Sequence, residues 1–150
     1  MKKLLSLVLL SAVLTSCGIG QKGEDGKDGQ PSKSATAAGS YQILKQAANG
    51  GREAKSNEII TSQQQLDALY KELALGPAPT VDFTSMNVIA LFLGQKNTGG
   101  YSVDIASVIV DDNTAKVKLQ ETRPDGMATM ALTQPYCIAA ITKTAEVLFE

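Results

Sequence analysis

Two rhythms of apolar and polar positions divide this chain. Leu66, Leu69, Tyr70 and Leu73 recur at helical spacing, and Ser62 with Gln65 three residues on forms a capping box at the start of that run. Gly76 and Pro77 stop it. The spacing predicts one amphipathic helix whose apolar stripe covers a sheet. Beyond Pro79 the helical period is lost. Residues 87–93 form a continuous apolar run, as expected of a strand covered on both faces. Tyr101, Val103 and Ile105 then alternate with Ser102, Asp104 and Ala106, after which Val108 and Val110 carry the apolar face on the opposite parity. A bulge at Ala106 or Ser107 would reconcile the two phases.

Asp111, Asp112, Asn113 and Thr114 read as a hairpin turn, and residues 116–120 return with alternating faces. Residues 127–132 and 136–143, separated by Pro135, are further strand candidates, as are 41–44 and the closing 146–149. One helix and about six short strands predict an α+β domain over residues 41–150, mainly an antiparallel β-sheet or small β-sandwich. The expected core comprises residues 88–93, Tyr101, Val103, Ile105, Val117, Leu119, Ile138 and Ile141. Nothing catalytic is expected on the helix.

The first residues follow another logic. Lys2 and Lys3 precede an apolar run over 4–14, then Thr15, Ser16 and Cys17. Such a run is far shorter than the roughly 20 residues needed to span a bilayer, and polar, glycine-rich chain follows at once. The pattern is that of a lipoprotein signal over 1–16, with Cys17 as the residue that receives the lipid, palmitate among its acyl chains. More than one chain at one cysteine anchors a protein stably. Cleavage removes two lysines and takes the formal charge from −1 to −3. Gly18 stands where an aspartate would retain a lipoprotein in the inner membrane of some bacteria, so the expected site is the cell envelope, at the outer membrane.

Residues 17–40 read as a flexible linker of Gly, Lys, Asp, Glu, Gln, Ser and Ala. Gly20, Gly23, Gly26 and Gly29 fall every third residue, in the collagen triplet pattern. Four triplets bury too little to offset the ordering entropy of three chains, so a solvated tether is expected. It would span roughly 25–30 Å as a flexible coil and about 80 Å if stretched.

Composition narrows the chemistry. The sequence contains no histidine, which removes Ser-His-Asp and Cys-His catalysis and the commonest metal ligand. Of its two cysteines the lipid consumes one, leaving Cys137 unpaired in an apolar, strand-like run where a buried small hydrophobe is the expected role. Asp111, Asp112 and Asn113 lack the register of a calcium loop. The scattered Lys and Arg form no patch for nucleic acid. No cofactor, metal or catalytic residue is expected. The distinctive internal segment is the loop holding Lys96, Asn97, Thr98, Gly99, Gly100 and Tyr101, between the two most strand-like runs, and it is the candidate protein-binding surface. Arg123, Pro124, Asp125 and Gly126 would extend that surface if they lie at the same end.

The order of Val81-Asp82-Phe83, the run from Val88 to Gly94, Thr98-Gly-Gly-Tyr-Ser102, Pro124 and Leu132-Thr-Gln-Pro-Tyr136 resembles the C-terminal domain of the PrcB family of protease-complex subunits. The resemblance covers nearly all of residues 59–149. It implies a non-enzymatic, envelope-anchored accessory or stabilising subunit of a secreted or surface protease, whose partners are the membrane, through lipidated Cys17, and another protein. A second resemblance implies an alternative. Asn97-Thr-Gly-Gly-Tyr101 is similar to the loop with which chagasin-type inhibitors enter protease clefts, although the loop's proline is absent and Asp125 stands where those inhibitors place an aromatic.

Overall fold

The computed structural model describes residues 37–150. The signal over 1–16, Cys17 and the glycine triplets lie outside the described residues. Eight strands and one helix follow in the order β1 (Ala37–Ala38), β2 (Tyr41–Ala47), β3 (Lys55–Ile60), α1 (Gln63–Glu72), β4 (Met86–Leu93), β5 (Ser102–Asp111), β6 (Thr114–Thr122), β7 (Tyr136–Thr142) and β8 (Glu146–Phe149). They form two four-stranded sheets, ordered β1-β5-β6-β8 and β2-β7-β4-β3. Every pairing is antiparallel except that of β8, which joins β6 in parallel. The fold is thus a β-rich α+β sandwich, as the alternation of strands predicts.

Three layers explain the continuous apolar run in β4. Ile89, Leu91 and Leu93 face the second sheet, meeting Val103, Ile105 and Val108 of β5 and Ala115 and Val117 of β6. Val88, Ala90 and Phe92 face the opposite way, towards Leu66, Leu69 and Tyr70 of α1. Strand β7 has the same double duty: Cys137, Ala139 and Ile141 point into the sandwich and Tyr136, Ile138 and Ala140 towards the helix layer. Tyr101 and Leu119, also expected in the core, are partly buried at its margin.

Local signals come out with small changes. The Ser62 hydroxyl accepts from the Gln65 N–H at 3.4 Å, whereas the Gln65 side chain reaches past Ser62 to accept from the Thr61 N–H at 2.9 Å. The cap is a capping box displaced by one residue on one side. The β5–β6 register shifts between Ile105 and Ser107, where the change of parity required it. Asp112 and Asn113 both take positive φ, the geometry of a tight two-residue hairpin that follows the sheet's twist.

One expectation needs correction. Residues 127–132 form no strand. Gly126 turns the chain with a φ of +93°, and beyond it the segment meets its neighbour through one isolated bridge, Lys96 to Thr133, instead of a ladder. Apolar content alone cannot make a strand without a neighbouring edge. Upstream of Tyr41, Ala37 and Ala38 pair with Val110 and Ile109.

After that short pairing the chain crosses from one sheet to the other through Gly39 and Ser40. The Gly39 N–H donates to Val108 O, and further along β5 the carbonyls of Ile105 and Val103 accept from Tyr41 Oη at 3.0 Å and Gln46 Nε2 at 2.7 Å. Side chains of β2 therefore occupy the β5 edge that two-residue β1 leaves uncovered, which removes a site for edge-to-edge pairing.

Candidate protein-binding pole

Three connections meet at one end of the sandwich: residues 48–54 between β2 and β3, 94–101 between β4 and β5, and 123–135 between β6 and β7. Backbone bonds tie them together. Gly51 N donates to Gln134 O at 2.9 Å, Gln134 N to Ala48 O at 3.1 Å, and Gln95 N to Glu53 O at 2.8 Å.

The loop singled out from the sequence does not stand free at this pole. Lys96 and Thr133 exchange backbone bonds at 2.8 and 2.9 Å, Gly99 N donates to Thr129 O at 2.9 Å, and the Thr133 hydroxyl donates to Thr98 O at 2.9 Å. A Cβ on Gly100 would lie 2.8 Å from Pro124 Cβ, so Pro124 packs directly on Gly100. Residues 123–126 do lie at the same end. Tyr101 packs against the inter-sheet core, and the Lys96 ammonium sits 5.5 Å from its ring centroid. Asn97 and Gly100 remain exposed.

What faces outward instead is the strap formed by 123–135. Met127 is fully exposed at 106%, Met130 is 87% exposed and Leu132 65%. Three large apolar side chains on one short segment are unusual on a protein surface, and methionine is a side chain that adapts to irregular partners. The sequence carried this signal, but the apolar content of 127–132 reads as a strand candidate. Pro124 and Gly126 before it and Pro135 after it were the contrary signs.

Charge at the pole is mixed. Lys55 and Glu121 form an ion pair, and Glu121 is held below the usual carboxylate range by that bond first and by the fields of Lys96 and Arg123 as lesser causes. On the neighbouring flank, Arg52 bonds Glu72 through two nitrogens at 2.7 and 3.0 Å, reaches Glu58 at 3.0 Å and lies 4.7 Å above the Phe92 ring centroid. Beside it a pocket of about 180 Å³ is lined by residues of β3 and α1.

No part of the described chain gathers the groups of a metal site: no three Cys, Asp or Glu side chains cluster among the described residues. At the opposite end, Ala145 N donates to the Asn113 backbone oxygen at 2.9 Å and to its side-chain Oδ1 at 3.1 Å, which pins the hairpin to the β7–β8 turn, while Asp111 accepts from Lys116 within the hairpin at 3.3 Å. Asp104 and Asp82 serve local roles as well: Asp104 accepts from the Ile105 N–H, and Asp82 from Thr84 and Ser85.

Cys137 is completely buried, and desolvation first, with the Asp104 charge second, pushes its pKa up to about 12. Thiolate is the reactive form, so the thiol is inert in the folded state. Native protein at pH 8 should leave a disulfide reagent unreacted, and urea-unfolded protein should react with it at once; rapid labelling of the native state would contradict this burial. The sign of the pH effect follows. The folded thiol keeps its proton where the unfolded one has lost it, so its contribution to stability is complete below about pH 9 and is lost as pH rises towards 12.

Among the described residues, no helix is long and apolar enough to cross a membrane. No curated protein and no solved structure matches the chain. Residues 87–142, which run from β4 to β7 and contain both the 94–101 loop and the strap that holds it, match the PrcB C-terminal family.

Proposed function

We propose that this chain is a lipid-anchored envelope protein, held by acylated Cys17, whose PrcB-like domain binds another protein and performs no chemistry. Within that reading it is an accessory or stabilising subunit of a secreted or surface protease. The observation that carries the binding role is the exposed trio Met127, Met130 and Leu132 on a strap fastened at Thr129 and Thr133. An apolar patch fixed on a rigid scaffold suits a partner surface, because little side-chain and loop entropy remains to be lost on docking.

The position of β1 supports the same reading. Ala37 pairs with Val110 at the hairpin end of β5, whereas the strap lies beyond Ser102 at its other end. Eight residues of strand separate the two, roughly 27 Å at strand rise. Ala37, the first described residue, thus lies at the end of β5 away from the loop pole. The tether would raise the concentration of the domain near neighbouring envelope proteins without further contacts.

Chemical cross-linking in intact membranes, followed by detergent extraction and mass spectrometry, tests the assignment. The combined variant Met127→Ser, Met130→Ser, Leu132→Ser is expected to lose its cross-linked partner by about tenfold or more, the effect of removing a few central anchors. Circular dichroism should be unchanged, because these side chains support no core. An undiminished partner yield from that variant would overturn the strap as the contact surface.

A further inference from the structure

The second interaction surface lies on the flank, and it owes nothing to the strap. Strand β3 is the last strand of its sheet and pairs with β4 alone. Its six residues keep an unbroken register, from Lys55 opposite Leu93 to Ile60 opposite Val88. The other edges of the sandwich are blunted. Strand β2 is bulged between Ile43 and Lys45, β5 is covered by β1 and by the Tyr41 and Gln46 side chains, and β8 has four residues. A regular, uncovered edge offers a row of backbone donors and acceptors to another strand.

Helix α1 makes that edge one wall of a groove. Gln65 at its start bonds Thr61 at the end of β3, and Glu72 at its end bonds Arg52 just before β3, so the helix runs back alongside the strand. Gln65, Ala68, Leu69 and Glu72, one stripe of the helix, line a pocket of about 180 Å³ together with Glu58, Ile59 and Ile60 of the strand. Ile60 and Leu69 are buried at its base, while Ile59 is 40% exposed on the edge itself. At the open end stand two carboxylates, Glu58 and Glu72, with the single guanidinium of Arg52 between them. One negative charge is left over.

We propose that the β3–α1 groove binds an extended, basic segment of a partner protein, which adds to β3 as a further strand and places a Lys or Arg against Glu58 and Glu72. Backbone pairing to the edge supplies the affinity, and alternate side chains entering between the β3 edge and the helix supply selectivity, as in other cases of strand addition. The excess carboxylate decides the charge of the occupant. An acidic segment would be repelled by that excess charge.

Panning a phage-displayed library of random dodecapeptides against the detergent-solubilised full chain tests this directly. Selected sequences should carry apolar residues at alternate positions and one Lys or Arg, and a synthetic copy should bind in fluorescence polarisation. The double variant Glu58→Lys, Glu72→Lys should weaken that peptide by about tenfold or more, and exchanging the peptide's basic residue for Glu should restore binding to the variant. Hydrogen exchange on the unmodified chain gives a readout that no variant can confuse: the peptide should slow amides of residues 55–60. Failure to enrich any peptide, protection confined to 123–135, or binding indifferent to the charge reversal would each overturn the groove. Loss of binding on mutating Met127, Met130 and Leu132, with β3 unprotected, would assign the peptides to the strap.

Discussion

Replacing Phe92 by alanine is expected to cost about 3–5 kcal/mol, the usual range for deleting a buried aromatic from a packed core. Phe92 is 1% exposed in the central strand β4, with the Tyr136 ring stacked at a centroid distance of 6.3 Å. Its loss touches two kinds of contact at once. The void opens in the layer under α1, and the Arg52 guanidinium loses the ring 4.7 Å beneath it while still holding Glu58 and Glu72. Small domains have about 5–15 kcal/mol in total, so the variant should be partly unfolded at moderate urea. Equilibrium urea denaturation followed by far-ultraviolet circular dichroism measures the loss. A decrease below about 1 kcal/mol, typical of an average substitution, would mean that the helix layer collapses onto the void or that Phe92 is not packed as described.

Gly94→Ala is expected to be the most damaging of the glycine substitutions, and Gly76→Ala isolates the reason. Both residues have positive φ, +73° and +87°, so alanine meets similar backbone strain at each, about 1–3 kcal/mol at the most. Only Gly94 also lacks room. A Cβ there would lie 2.8 Å from Lys55 N and 2.9 Å from Glu53 O, both backbone atoms of the neighbouring chain, whereas at Gly76 nothing lies within 4 Å. The clash would force apart Glu53 and Gln95, whose bond joins the 48–54 loop to the 94–101 loop. Gly94→Ala should therefore exceed Gly76→Ala by about 1 kcal/mol or more in urea denaturation, as overpacking does. It should also raise protease cleavage within 94–101. Equal losses at the two positions would show that the three loops are not bound together at this pole.

The groove and the strap differ in what they ask of the scaffold. The strap displays three apolar side chains whose removal leaves the core intact, so its variants separate binding from folding. The groove shares Leu69 and Ile60 with the core, which confines its clean test to the exposed carboxylates. Phe92 connects to the groove through Arg52, and loss of its ring should loosen the pair of glutamates as well as the helix.

Much of the fold was legible because burial on two faces leaves a distinct mark. The apolar run of β4 needed both layers that the structure provides, and the parity change near Ala106 could be accommodated only by a bulge. The helix start was written in Ser62 and Gln65. Residues 127–132 were misread because a half-apolar segment between prolines has the composition of a strand, while pairing depends on an edge that composition does not encode. The candidate loop is marked by Gly99, Gly100 and Tyr101, but that its backbone is already occupied by Thr129 and Thr133 follows from contacts thirty or more residues apart. The strap's apolar trio was visible in the sequence, and its exposure was not.

By itself the sequence determined the local elements: the capped helix, the doubly buried strand, the tight hairpin and the family resemblance over its β-rich part. Each depends on neighbours a few residues away, through propensity, capping and side-chain period. Tertiary structure alone decided the rest. Strand β7 inserts between β2 and β4, β8 joins β6 in parallel, and β3 is left as an open edge beside α1, because strand partners are chosen by the joint burial of distant apolar faces. The same competition put Tyr101 against the core and Met127, Met130 and Leu132 in solvent, on a strap that meets its neighbour through an isolated bridge and not a ladder.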